Sequence, residues 1–347
     1  MAYVAASNAA QFRKLSDALG PEEIERLIAA TDAAIAACGP ILDRRLAAGL
    51  VRRCHGDLHL GNILLEEGQP VLFDCIEFND ALSEIDVLYD LAFLLMDLGF
   101  RGQAAGANRV LNGWLDEAAR SFGDTLWDGL QCLGLFQSVR AGVRAHVCAH
   151  AGDFETARRY LATAQAHLQP AAPVLVAVGG LSGSGKSTFA RLLAPELFPR
   201  PGAVVLRTDE IRKRLWRRAP TDRLPPEAYS IQATDAVYAT MLEIAGLCLA
   251  VGWPVILDAV FLRPRERAAA SALPARAQVG FEGVWLDGSP EMLRARVAGR
   301  QGDASDADLK ILEGQLARDP GAITWIRRDA GDLSAAVRQT LADLIPL

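Results

Sequence analysis

The sequence is short of lysine, has no paired-cysteine spacing and no bilayer-length apolar run, and carries no surplus of positive charge. Each shortage closes off a class of protein. Only Lys14, Lys186, Lys213 and Lys310 stand among 36 basic residues, so arginine supplies nearly all the positive charge and a lysine inside a motif is informative. A formal net charge of -6 opposes generic nucleic-acid binding, which relies on surplus Lys and Arg. Cys38, Cys54, Cys75, Cys132, Cys148 and Cys248 form no C-x-x-C pair and are expected as buried free thiols, without disulfides or a zinc site. Apolar runs such as Ile244 to Val251 fall far short of the roughly 20 residues that span a bilayer. The N-terminus shows no basic-then-apolar signal pattern, so a cytoplasmic protein without membrane contact is expected. There is no internal repeat or low-complexity tract.

What the chain does have is apolar material: 51% of its 347 residues are hydrophobic against 22% charged, enough for a globular protein of two domains. Phe12, Leu15 and Leu19 keep helical spacing, and Pro21, Glu22 and Glu23 open a second helix carrying Ile24, Leu27, Ile28 and Ile35. Brief strands are expected at 51–54, 62–66 and 70–73, then helices from Ala81 to about His167. Gln169-Pro-Ala-Ala-Pro173 breaks any helix and marks a boundary between domains 1–168 and 173–347. Beyond it, strand-like runs at 174–178, 204–207, 255–258, 284–287 and 323–326 alternate with helical stretches, the pattern of an α/β fold with a parallel sheet flanked by helices.

Gly180-Leu-Ser182-Gly183-Ser184-Gly185-Lys186-Ser187-Thr188 matches G-x-x-x-x-G-K-[ST] between an apolar run and a helical segment. Glycines there let backbone N–H groups cradle phosphates, Lys186 reaches the β and γ phosphates of ATP, and Ser187 offers its hydroxyl to Mg²⁺. After the next strand, Asp209 and Arg212 lie one helical turn apart at the sheet edge where open α/β folds bind ligands. Asp209 reads either as the general base a phosphoryl acceptor needs or as a helix N-cap or first-turn acid. Asp258 ends a Val-Ile-Leu run and is able to hold Mg²⁺; Ala259 follows it where a hydrolytic ATPase commonly needs a carboxylate, which favours transfer to a substrate hydroxyl. Arg294, Arg296 and Arg300 precede the polar segment 302–307 and suggest a lid whose Arg296 and Arg300 neutralise the transferring phosphate, with solvated surface arginines as the alternative. Together these motifs resemble the small P-loop kinases, among them gluconate kinase, the polynucleotide 5'-kinases and the zeta toxins. That resemblance implies Asp209 as base and Arg212 as the group orienting substrate or phosphate.

His55-Gly-Asp57-Leu-His-Leu-Gly-Asn62 carries the H-x-D-x-x-x-x-N spacing of a kinase catalytic loop, and Asp74 follows a short strand. Asp57 would take the acceptor proton, with Asn62 and Asp74 on metal. His-Gly-Asp and Glu77-Phe78 resemble the aminoglycoside phosphotransferase and choline kinase group over residues 1–168. Only 54 residues precede His55 here, they read as helices, and Lys14 lies in one of them, so no nucleotide-covering upper lobe is expected among them and phosphotransfer by Asp57 alone is not expected. The pairing of the two halves resembles the bifunctional aminoglycoside phosphotransferase/ATP-binding proteins, with a C-terminal AAA-type kinase.

Two constellations stay open. His146 and His150 share a helix face without a completing carboxylate, so a metal site is not expected there. The run of Arg207, Arg212, Lys213, Arg214, Arg217, Arg218 and Arg223 is a solvated helix face or a holder of anions, nucleic acid included. The leading reading is an ATP- and Mg²⁺-dependent kinase of a hydroxyl on a small, possibly anionic molecule. Its rivals are a nucleotide-dependent regulatory protein without phosphotransfer and a nucleic-acid 5'-hydroxyl kinase.

Overall fold

The computed structural model describes residues 1–170, 172–299 and 305–344. Arg300 therefore lies outside the described residues. Chain contacts divide the protein into Met1–Ala171 with Pro199–Pro201, and Ala172–Phe198 with Gly202–Leu347.

The first unit is mostly helical: α1 (Ala2–Lys14), α2 (Ser16–Leu19), α3 (Pro21–Ala47), β1 (Val51–Arg53), β2 (Ile63–Glu66), β3 (Gln69–Leu72), α4 (Asp80–Ser83), β4 (Glu84–Asp86), α5 (Val87–Phe100), α6 (Ala104–Ala118), α7 (Thr125–Asp128), α8 (Leu130–His150) and α9 (Phe154–His167). Pro21 stands at the first position of α3 with Glu22 and Glu23 in the first turn and Arg44 and Arg45 in the last, each sign matched to the helix dipole. Phe12, Leu27, Phe93, Ala145 and Tyr160 meet in one core. Arg45 is fully buried and grips Asp86 through Nε at 2.6 Å and Nη2 at 2.8 Å, while Asp86 caps α5 by accepting from the Leu88 N–H. Asp86 also ends β4, which pairs antiparallel with β1. This strand lies inside the stretch expected to be helical; three residues carry no readable alternation, and their pairing partner is some 30 positions away.

The second unit comprises β5 (Val174–Gly179), α10 (Lys186–Leu193), β6 (Val204–Arg207), α11 (Thr208–Leu215), α12 (Ile231–Ala250), β7 (Val255–Asp258), α13 (Pro264–Ala277), β8 (Gly280–Asp287), α14 (Pro290–Ala298), α15 (Leu309–Leu316), β9 (Ile326–Asp329) and α16 (Leu333–Leu344). Its five strands are parallel in the order β6-β7-β5-β8-β9. Leu175, Val176, Ala177 and Val178 of the central strand are wholly buried, which explains its continuous apolar run; each buried leucine or valine side chain contributes about 1.5–3 kcal/mol. The last strand is Ile326–Asp329, later than the expected 323–326, because the carbonyls of Pro320 and Ala322 accept from buried Arg267 and hold the preceding segment out of the ladder. By length and composition α12 could cross a bilayer; it buries Val237, Met241, Ile244 and Cys248. The six cysteines are free, but Cys75 is exposed and Cys54 and Cys148 are half-buried, so the expectation of buried thiols holds only for Cys38, Cys132 and Cys248.

Candidate active site

The strand order puts β5, β6 and β7 side by side, so the turns after them open on the same sheet edge. In register, Asp258 sits opposite both Val178 and Arg207. The turn after β5 is the phosphate loop. Gly183 takes φ +85°, and a Cβ on it would lie 2.7 Å from the Leu293 carbonyl oxygen, so both conformation and space require glycine. A cavity of about 820 Å³ is lined by Ser182, Gly183, Gly185, Lys186, Ser187 and Thr188 of this loop. Gly180 and Ser184 do not line it: Gly180 N–H donates to the Val260 carbonyl at 3.2 Å, and the Ser184 hydroxyl is buried with no hydrogen bond among the described residues. They shape the loop from behind.

Lys186 Nζ donates to the Leu181 carbonyl at 3.0 Å, and Ser187 Oγ donates to Asp258 Oδ2 at 2.6 Å. Arg207, only 6% exposed, donates through Nε to the same Asp258 oxygen at 3.2 Å and through Nη1 to Glu210 at 2.8 Å.

Asp209 and Arg212 line the same cavity. Asp209 is half-buried at the second position of α11; the N-cap is Arg207 and no side chain caps this helix, so Asp209 is not the N-cap but does stand as a first-turn acid, and that alternative to the base remains. Arg212 is 6% exposed: Nη1 donates to the Ala228 carbonyl at 2.5 Å and to Thr234 Oγ1 at 3.4 Å, its guanidinium lies 4.9 Å over the Tyr229 ring, and Nε has no hydrogen bond among the described residues. Burial pulls its pKa below the ordinary arginine value against the opposing pull of Asp209. Arg296, half-buried, lines the cavity and donates to the Ala330 carbonyl at 3.0 Å, whereas Arg294 pairs with Glu313 at 2.6 Å away from it. The Arg-rich run is therefore neither one solvated face nor one anion site: Arg207, Arg212 and Lys213 are buried, while Arg217, Arg218 and Arg223 are exposed.

Lys213 leads to a feature that sequence motifs do not encode. Its Nζ donates to the Asp222 carbonyl and pairs with Asp306 Oδ1 at 2.8 Å, while Asp306 Oδ2 accepts from the Leu224 N–H at 3.1 Å and from the Tyr229 hydroxyl at 2.5 Å. Burial opposes ionisation of Asp306, yet the bonds from Lys213, Tyr229 and Leu224 outweigh it and its pKa is lowered. A lowered folded-state pKa means the contribution is complete above the unfolded value of about 4 and is lost as pH falls through the folded value. Thermal melts should thus show wild type more stable than Asp306→Asn by a constant margin above about pH 4, shrinking below it; a margin independent of pH would contradict this account.

The first unit brings Asp57 and Asn62 together: Asn62 Nδ2 donates to Asp57 Oδ2 and to its carbonyl, each at 3.0 Å. His59 Nδ1 accepts from the Gly61 N–H, leaving Nε2–H facing Asp57 Oδ2 at 3.4 Å; this bond, against burial, lowers the Asp57 pKa. Asp90 anchors the loop by accepting from the His55 and Gly56 N–H groups at 3.1 and 2.8 Å. Asp74 is exposed beyond the end of β3, in left-handed backbone at φ +60°. Lys14 is exposed on α1. His150 Nδ1 bonds the His146 carbonyl, and no metal-binding group of three or more His, Cys, Asp or Glu side chains occurs among the described residues.

Residues 2–128 match the family model described as Phosphotransferase enzyme family, and residues 175–319 match the model described as AAA domain. The chain is 36% identical over 306 residues to the uncharacterized protein Rv2004c of Mycobacterium tuberculosis and to the uncharacterized protein Mb2027c of Mycobacterium bovis. These matches cover 85% of this chain but 59% of each relative, so the chain spans under two thirds of their length. Among solved structures, the Mycobacterium tuberculosis APS kinase CysC in complex with AMPPNP and APS is 21% identical, with 50% of this chain and 99% of that chain covered and a TM-score of 0.37. A gluconokinase from Sinorhizobium meliloti is 25% identical, with 51% and 93% covered and a TM-score of 0.33.

Proposed function

We propose that this chain, which joins a phosphotransferase-family segment to an AAA domain, is a cytoplasmic ATP- and magnesium-dependent kinase whose second unit phosphorylates a hydroxyl on a small anionic molecule. One observation carries the reading: the phosphate loop, the Ser187–Asp258 pair and the Asp209–Arg212 pair line one cavity of about 820 Å³. Lys186 would swing from the Leu181 carbonyl to the β and γ phosphates. Ser187 Oγ and Asp258 Oδ2 are hard oxygen donors already in contact, a set that fits magnesium, and Arg207 would hold Asp258 in place. Magnesium bound there would neutralise charge on the β and γ oxygens. Asp209 would accept the acceptor hydroxyl's proton as its oxygen bonds the γ phosphorus and the bond to the β-phosphate oxygen breaks, releasing ADP. Arg212, buried and with an Nε that has no hydrogen bond among the described residues, suits an anionic group on the acceptor, and Arg296 the phosphoryl oxygens. The test is ATP turnover with candidate sugar acids and phosphorylated polyols, and with oligonucleotides bearing a free 5'-hydroxyl. Turnover stimulated only by the oligonucleotides would transfer the reading to nucleic-acid end processing, and none with any acceptor would favour the regulatory reading.

The two units make a second test. The residues before His55 form α1, α2, α3 and β1, with no glycine-rich strand pair among them to cover a nucleotide over Asp57. Asp57→Ala should leave acceptor phosphorylation within about twofold of wild type, whereas Asp209→Ala should abolish it. The reverse ranking, measured on both purified variants, would assign the chemistry to the helical unit.

A further inference from the structure

Gln315 lies in no motif, yet its side chain reaches across to the phosphate loop: the Ser182 N–H donates to Gln315 Oε1 at 2.8 Å. A backbone N–H can only donate, so this contact decides which end of the amide faces the loop. The oxygen points inward, and Nε2, with its two donors, is left without a hydrogen bond among the described residues while Gln315 lines the cavity.

The helix that carries the amide is tied down at several points. α15 starts at Asp308, whose side chain caps it by accepting from the Ile311 N–H at 2.9 Å. Leu312 is buried against Leu293 and Val297 of α14, with Leu181 of the phosphate loop packed on the same cluster. The Arg294–Glu313 pair, at 2.6 and 3.2 Å, ties α14 to α15 on the outer side. Lys310, Gly314 and Gln315 of α15 line the cavity together with Arg318 just beyond the helix, and a Cβ at Gly314 would meet nothing within 4 Å. An oriented donor facing a phosphate loop, in a cavity that Lys310 and Arg318 also line, matches an anionic oxygen.

We propose that Gln315 is a phosphoryl-binding residue: its Nε2 donates to a terminal phosphate oxygen of the nucleotide while Oε1 stays on the Ser182 N–H. This rests on the kinase reading of the second unit and assigns that site a residue supplied by the helix following the 300–304 segment. The amide works as a fixed bridge, its acceptor end spent on the protein and its donor end on the ligand. A contact to the terminal phosphate alone distinguishes ATP from ADP.

Gln315→Glu keeps the shape and still accepts from Ser182, but turns a negative oxygen toward the phosphate. Calorimetry on the full chain with a non-hydrolysable ATP analogue and with ADP, both with magnesium, should show the analogue bound about tenfold more weakly, the scale of a lost charge-assisted bond. ADP affinity should stay within about twofold, and the melting temperature without nucleotide should be unchanged. Gln315→Ala should weaken the analogue by about fivefold and lower the nucleotide-free melting temperature, since it strips the Ser182 N–H of its acceptor. Wild-type affinity for both nucleotides in both variants would reduce Gln315 to a structural brace, and equal weakening of ADP and the analogue would place its contact elsewhere than the terminal phosphate. A wild-type protein that binds neither nucleotide overturns the kinase reading itself and this assignment with it.

Discussion

Lys186→Ala should weaken ATP binding by roughly 30- to 140-fold, about 2–3 kcal/mol, the scale of a hydrogen bond between charged partners. The fold should survive, and the structure says why. Lys186 Nζ donates to the Leu181 carbonyl at 3.0 Å, but that carbonyl also accepts from the Ser184 N–H at 3.1 Å and is not orphaned by the substitution. The glycine conformations and the packing of β5 that shape the loop do not involve the lysine side chain. Calorimetric titration and a thermal melt on the same preparation separate the two effects. Unchanged affinity on a folded variant would contradict the placement of the nucleotide phosphates on this loop, and loss of the fold would show that the lysine is a structural strut.

The same contrast between local and long-range order explains what the sequence discloses. The phosphate loop is legible because its glycines, lysine and serine are consecutive and their conformations are set by near neighbours. Asp258 is legible because a wholly buried parallel strand writes itself as an apolar run and the first carboxylate ends it. The Asp57–Asn62 pair is likewise five positions apart. Gln315 is silent, because its partner Ser182 is 133 positions away and a glutamine on a helix carries no periodic signal. Tyr229 and Asp306 are silent for the same reason: their meaning lies in a junction of α11, the loop before α12 and the segment before α15. The Arg-rich run misleads in the opposite sense, since adjacent cations suggest a common face, whereas burial sends Arg207 to Asp258, Lys213 to Asp306 and Arg212 to the cavity wall. β4 shows the limit for secondary structure: Glu84–Asp86 becomes a strand only because β1 is there to pair with it.

Asp209→Asn should retain the fold and ATP affinity and lose at least about 100-fold in acceptor phosphorylation, the lower end of what a general base contributes. Asparagine keeps the shape and one carbonyl oxygen but cannot take a proton at neutral pH. The structure sharpens the comparison, because α11 has no side-chain cap and Asp209 sits one position inside the helix. A fall in stability on substitution would therefore come from the weak favourable interaction of a first-turn carboxylate with the helix dipole, about 0.3–1 kcal/mol, and from loss of the charge that faces buried Arg212. Arg212, one turn along, sees the Asp209 charge, so the variant also removes an opposing pull on a buried arginine. That effect falls on the acceptor's KM, whereas loss of the base falls on kcat, and the two are separable by varying acceptor at saturating ATP. Asp209→Glu should recover part of kcat, since it restores a carboxylate, while asparagine should not. A wild-type kcat for the asparagine variant would leave the cavity without a base from α11, and the phosphotransfer reading would then have to find its proton acceptor elsewhere or yield to nucleotide binding without transfer.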